Sequence, residues 1–223
     1  MAEVSSHAPG SFCWPELATS DQEAAKRFYA GLFGWAAHDQ PIPLGTYTIM
    51  RLGGRDVGAC YAMGPHEQGI PPHWNSYVAV ASADEAAKKT ADLGGQVLGQ
   101  PFDVFESGRM AILQDPAGAV FCVWQAKKHP GVTRIDEPGA LCWTELVTTD
   151  TKKAQTFYEQ LFGWRSKVGE APPMPYTEFS NRNKPIAGMM QIQPEWGPVP
   201  PNWMPYFAVS DCDASAKRAT ELG

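Results

Sequence analysis

The sequence predicts an α+β protein built from tandem modules of strand, helix and three strands (βαβββ). Three observations predict it. One block of the chain occurs twice, each block divides into two weaker halves, and each half passes from alternating to helical periodicity and back. When Trp14 is set on Trp143, thirteen of 24 aligned positions are identical between 12–35 and 141–164. Between 71–94 and 200–223 eleven of 24 agree at the same offset. Self-similarity at a fixed period marks repeated supersecondary units that pack on one another.

In the first half, 13–18 alternates as an extended segment. Ser20 and Glu23 have the spacing of a capping box. Ala25, Phe28, Tyr29, Leu32 and Phe33 then recur at helical spacing until Gly34 ends the helix. Strands are expected at 47–52 and 57–63, joined near Gly53 and Gly54. The second half repeats the scheme. A strand at 76–81 leads to a capping box of Ser82 and Glu85, and the helix runs to Leu93. Strands follow at 96–104, 109–114 and 120–125, with Asp115-Pro116-Ala117-Gly118 as the turn between the last two.

This reading gives a domain at 1–128, a charged linker with Pro and Gly at 129–139, and a second domain at 140–223 whose last module is incomplete. Measured against the second unit, the fourth lacks about 32 residues of strand. Exposed sheet edges invite pairing. The expectation is therefore that the natural chain continues beyond Gly223 or that a neighbouring subunit covers the gap.

Composition excludes several classes of function. The net charge of −6 argues against nucleic acid and against anionic membrane surfaces as partners. No apolar run approaches the roughly 20 residues that span a bilayer. The first ten residues lack a basic and an apolar leader region, so a cytoplasmic location is expected. The five cysteines, Cys13, Cys60, Cys122, Cys142 and Cys212, lack metal-type pairing and are expected to be reduced, mostly core, thiols. Phosphate-binding loops, dinucleotide fingerprints and hydrolase elbows do not occur.

The signature E-L-x-T-x-D followed by F-Y-x-x-L-F-G-W stands at Glu16–Trp35 and again at Glu145–Trp164, and a D-P-x-G turn at Asp115–Gly118 accompanies it. With these motifs the chain resembles the vicinal oxygen chelate superfamily of glyoxalase, bleomycin-resistance and extradiol dioxygenase proteins, and within it a tandem-repeat actinobacterial subgroup that includes hydroxylase-like members. The resemblance implies cupped mixed sheets with flanking helices. It does not choose a function, since the superfamily holds lyases, dioxygenases, epimerases and metal-free drug-binding proteins.

Metal-dependent members place His, Glu or Gln on the first and last strand of each unit, donors that suit divalent ions. The matching positions here are Trp14, Asn75, Cys122 and one of Ala59, Cys60 or Tyr61. In the second block they are Trp143, Met204 and Gly188 or Met189. Neither a metal nor another cofactor is expected. His7, His38, His66, His73 and His129 fall in tails, loops or turns and read as solvated, His73 lying nearest a cup strand.

Strand side chains alternate, and the family alignment turns Trp14 and Glu16 into the first cup. Asn75, Tyr77, Cys122 and Trp124 join them, and Trp143, Glu145, Met204 and Tyr206 line the second. These ten are the candidate ligand-binding residues. Glu16 and Glu145 are also candidate catalytic acids or bases, because an apolar cup raises a carboxyl pKa. A structural carboxylate is the commoner alternative, with Arg51 and Arg109 as candidate partners. Trp35 and Trp164 read as core. Met50, Met63, Met110, Met189 and Met190 read as core or as an adaptable pocket wall.

The functional expectation is a metal-free protein holding a planar aromatic or polyketide-like metabolite, for sequestration, self-resistance or service to a tailoring oxygenase. Its partner would be a small hydrophobic or aromatic ligand, and its assembly could be a homodimer. The rival reading is a glyoxalase-type enzyme, either a lyase, a dioxygenase or a cofactorless hydroxylase or isomerase, acting on a small apolar substrate. A third is a structural protein whose cups are filled by side chains.

Overall fold

The computed structural model describes residues 4–43, 45–169 and 174–223. The first unit comprises β1 (Phe12–Thr19), α1 (Gln22–Phe33), β2 (Ala36–Ile42), β3 (Gly45–Leu52) and β4 (Arg55–Ala62). The second comprises β5 (His73–Ala79), α2 (Ala83–Asp92), β6 (Gln96–Val104), β7 (Gly108–Gln114) and β8 (Val120–Ala126). In the third are β9 (Leu141–Thr148), α3 (Thr151–Phe162), β10 (Arg165–Gly169), β11 (Tyr176–Asn181) and β12 (Lys184–Gln191). The described part of the fourth is β13 (Asn202–Phe207) and α4 (Cys212–Leu222).

The helix ends follow local chemistry. Asp21, rather than Ser20, caps α1, its carboxylate accepting from the Ala24 amide at 2.8 Å. Aspartate one residue later reaches the same orphan amides, so the expected capping box is displaced. Gly34 closes α1 in the left-handed region at φ 72°. Ser82 caps α2 as expected, accepting from the Glu85 amide at 3.2 Å.

β1 pairs parallel with β4 and antiparallel with β5, which pairs parallel with β8. Units one and two therefore form one wall. β9 repeats this with β12 and β13, joining units three and four. A single bridge, Asn202 to Val120, links the two walls of the described residues into one 13-stranded sheet, from whose main path β7 and β6 branch at β8. The sheet is mixed and the helices flank it, so the fold is the expected α+β arrangement.

Each wall has a helix side and a concave side. Leu17, Ala25, Trp35, Met50 and Val57 pack on the helix side of the first unit. Trp14, Ile49, Ala59, Tyr77, Met110, Cys122 and Trp124 pack on the other. The largest cluster crosses between blocks: Leu113 and Phe121 pack with Phe157, Tyr158, Trp164 and Trp203. The D-P-x-G turn sits at this junction. Asp115 Oδ1 accepts from the Ala117 and Ala119 amides at 2.8 and 3.0 Å, while Oδ2 accepts from the Tyr158 hydroxyl at 3.0 Å.

The segment 129–139 is built into the structure. Val132 and Thr133 donate to the Cys13 and Asp56 carbonyls, and Gly139 to that of Ala208. Cys13, Cys60 and Cys122 are buried free thiols, Cys142 is half-buried and Cys212 exposed.

Candidate functional site

Glu16 and Trp14 stand two residues apart on β1 and share its concave face. Glu16 lies opposite Asn75 on β5 and Ala59 on β4, while Trp14 lies opposite Tyr77, itself beside Cys122 on β8. Register alone therefore gathers six of the positions singled out above. The Glu16 carboxylate is 7 % exposed and uses both oxygens. Oε1 accepts from the Tyr77 hydroxyl at 2.8 Å and from the Asn75 amide at 3.4 Å. Oε2 accepts from the Tyr47 hydroxyl at 2.7 Å. Tyr47 in turn accepts from the Trp14 indole at 3.0 Å.

The second wall repeats the group. Tyr176 donates to Glu145 Oε2 at 2.8 Å and Tyr206 to Oε1 at 2.8 Å, and the Trp143 indole donates to Tyr176 at 3.0 Å. All four members, Trp, Glu, Tyr and Tyr, stand at the repeat offset from their counterparts. Met204 lies opposite Glu145 in the register, on the same face as Tyr206. Tyr47 and Tyr176 escaped the sequence reading. The signal that could have found them is the repeat itself, since both tyrosines sit in strands at the shared offset.

The two walls differ in cover. Trp14, Tyr77, Cys122 and Trp124 are all under 9 % exposed, whereas Tyr206 and Met204 are 40 % exposed and Trp143 is half-buried. Over the first wall the chain folds back at His129. Its ring meets Trp14 edge-on at 4.7 Å, and its carbonyl accepts from the Trp124 indole at 2.9 Å. His129 Nε2 lies 3.4 Å from Asp56, which Arg51 holds at 2.6 Å. His7 bonds the Val132 carbonyl at 2.8 Å, and burial lowers its pKa. These two histidines are thus packed rather than solvated, because the segment 129–133 runs across the wall instead of away from it. His73 turns back onto the Pro71 carbonyl at 2.9 Å.

Neither arginine pairs with Glu16. A bulge between Met50 and Arg51 carries Arg51 to the rim opposite Asp56. Met110 faces the cup, so its neighbour Arg109 faces away and holds Asp84 on α2 at 2.7 Å. The hydroxyls of Tyr47 and Tyr77 take the arginines' expected place. Desolvation raises the Glu16 pKa, opposed by these hydrogen bonds. It raises Tyr47 and Tyr77 further, aided by the Glu16 charge, so both hydroxyls keep the protons they donate. Burial also pushes Tyr206 up, to about 12.

The wall positions of the family's metal do not fit one here. The register places Trp14, Ala59, Asn75 and Cys122 there, giving an indole, a methyl, a carboxamide and a thiol whose pKa burial raises. The Glu16 carboxylate is already satisfied by two hydroxyls. In the second block Gly188 replaces Ala59, and a Cβ there would fall 1.6 Å from the Tyr176 hydroxyl. The space beside Glu145 is thus reserved for tyrosine.

The fold and this wall define a class. The family model of the Glyoxalase/Bleomycin resistance protein/Dioxygenase superfamily matches residues 11–123, and the chain belongs to that family. CFP32 of Mycobacterium tuberculosis, named as a glyoxylase, is 39 % identical over 227 residues, covering 100 % of this chain and 86 % of that protein. The anthracycline biosynthesis protein DnrV of Streptomyces peucetius is 35 % identical over 229 residues, covering 97 % of this chain and 83 % of that one. Among solved structures, the Mn(II)-bound glyoxalase from Novosphingobium aromaticivorans is similar at a TM-score of 0.65 with 14 % identity, over 96 % of this chain and 70 % of that chain. That likeness shows the shared fold. No helix of the described residues is long and apolar enough to cross a membrane.

Proposed function

We propose that this chain is a small-molecule-binding member of its family that holds a planar aromatic, polyketide-like ligand without the family-type metal. The observation that carries the reading is the Trp-Tyr-Glu-Tyr group, built once on each cup wall with its Trp at a position where a metal ligand would stand. Aromatic rings attract flat ligands through their faces and edges, by about 0.5–1.5 kcal/mol per pair beyond burial. A carboxylate already held by two hydroxyls fixes the rings around it. On the second wall Trp143, Met204 and Tyr206 are accessible to such a ligand. On the first wall the ligand must displace the His129 segment. Two relatives named for anthracycline biosynthesis support the ligand class, since an anthracycline is a flat fused-ring system.

The test is titration with a hydroxyanthraquinone, read by tryptophan quenching. Saturable binding is expected, weakened about thirtyfold by Trp143→Ala or Tyr206→Ala, as for loss of a roughly 2 kcal/mol anchor. Absence of binding, or unchanged affinity in both folded variants, overturns the reading.

A second reading has one observation in its favour, the raised pKa of buried Glu16. A carboxyl group tuned upward can serve as a general acid or base. Turnover of the bound ligand that Glu16→Gln abolishes would establish it over simple binding.

A further inference from the structure

In the first block the strap His129–Thr133 fills a seat at the open ends of β1 and β4. Val132 donates to the Cys13 carbonyl at 2.8 Å and Thr133 to that of Asp56 at 2.9 Å. The Asp56 amide returns a bond to the Thr133 hydroxyl at 3.2 Å. Gly131, at φ +112°, lies so close that a Cβ there would fall 2.3 Å from the Cys13 carbonyl oxygen. The seat thus demands glycine followed by a residue that can lie extended.

The repeat offset carries Cys13, Trp14, Arg55, Asp56 and Val57 onto Cys142, Trp143, Lys184, Pro185 and Ile186. Those five line a cavity of about 270 Å³, with Phe12, Ile135 and Leu141 adding apolar wall. It is the repeat-related counterpart of the occupied seat. Outside the strands, no backbone N–H of the described residues reaches the Cys142 carbonyl. Pro185 supplies neither the amide nor the carboxylate that Asp56 uses to hold Thr133 and His129. What remains is a carbonyl acceptor, an apolar floor and a rim where Lys184 lies 3.8 Å from Asp136. β9 and β12 pair only from Glu145 and Gly188 onward, so the main-chain acceptors at their splayed first ends suit a short extended backbone wedged between them, as the strap is in the first block.

We propose that this groove is a docking seat for an extended peptide segment in which glycine precedes a β-branched residue. The glycine packs on the Cys142 carbonyl and the following N–H donates to it. The groove shares Trp143 with the second cup but is not lined by Glu145, and the inference does not rest on the ligand reading of the cups.

The test supplies a synthetic peptide of residues 127–135 in trans to the 223-residue chain. Alkylation of Cys142 and Cys212 by N-ethylmaleimide is followed by mass spectrometry. Cys142 lines the groove, and exposed Cys212 is the internal control. Cys142 alkylation slows about tenfold at roughly ten times the half-protecting peptide concentration, by mass action, while Cys212 is unaffected. A peptide carrying Gly131→Ala gives no protection. Unchanged Cys142 alkylation at millimolar peptide overturns the proposal. So does equal protection by the Gly131→Ala peptide, which means a cavity that takes any apolar group. Equal slowing at both cysteines overturns it as well.

Discussion

The Trp164 indole donates to the Gly10 carbonyl at 2.8 Å, across 154 positions of the chain. The Trp35 indole does the same to Gly139, also at 2.8 Å. The two donors stand at the repeat offset from each other, and so do the two acceptors, so this is one contact seen twice. Each block is held by the segment that leads into the other. The bond is buried, and a carbonyl stripped of its donor there costs about 1–3 kcal/mol. Trp164→Phe is expected to lower Tm by about 2–4 °C for each kcal/mol lost, for a chain of this size. Calorimetry showing no change would remove the bond from the interlock.

The repeat supplies its own control for the tyrosine-carboxylate bonds. Tyr77 and Tyr206 donate to their glutamates over the same 2.8 Å, but one is 4 % and the other 40 % exposed. Tyr77→Phe deprives a buried carboxylate of a donor, for an expected loss of about 1.5–3 kcal/mol. Water can replace the Tyr206 hydroxyl, so Tyr206→Phe should cost about 1 kcal/mol or less. Urea unfolding of the two variants compares them directly. Equal losses would mean that burial does not set the strength of this bond.

Glu16 gives a pH dependence of definite sign. Its folded pKa is raised above the unfolded value of about 4.3, so the folded state binds the proton more tightly. Its contribution to stability is therefore present below the unfolded pKa and falls as pH rises through the folded one. The steepest slope is about 1.4 kcal/mol per pH unit. Glu16→Gln does not titrate. The stability of the native chain minus that of the variant should decline from about pH 4 upward and then level off. A flat difference between about pH 4 and 8 contradicts the raised pKa.

Gly131 tests the strap over the first wall. Gly131→Ala places a Cβ against the Cys13 carbonyl at a φ that L residues avoid, at an expected cost above about 1 kcal/mol. Displacing the strap also removes His129 from Trp14, so iodide quenching of tryptophan should increase. A stable variant with unchanged quenching would show that the strap can shift without opening the wall.

The wall chemistry predicts purification without stoichiometric Zn, Fe, Ni or Mn. Elemental analysis finding about one tightly held transition metal per chain would identify a donor set other than the wall positions.

Local pattern and the repeat made much of this protein legible. The helix stop at Gly34, the cap at Ser82 and the strand at 96–104 follow from capping chemistry and periodicity, which act over a few residues. Alternation put Trp14 beside Glu16 and Tyr206 beside Met204, and the residue types at the wall argued against a family-type metal site. Tertiary structure alone decided which groups meet. Tyr47 reaches Glu16 across 31 positions of the chain because β4 lies between β1 and β3. Arg51 misses Glu16 because one bulge changes its register. His129 meets Trp14 because the segment after β8 turns back across the cup. Periodicity states which face a side chain takes. Hydrogen bonding depends on strand order and register to within an ångström, and those are set by the packing of the whole chain.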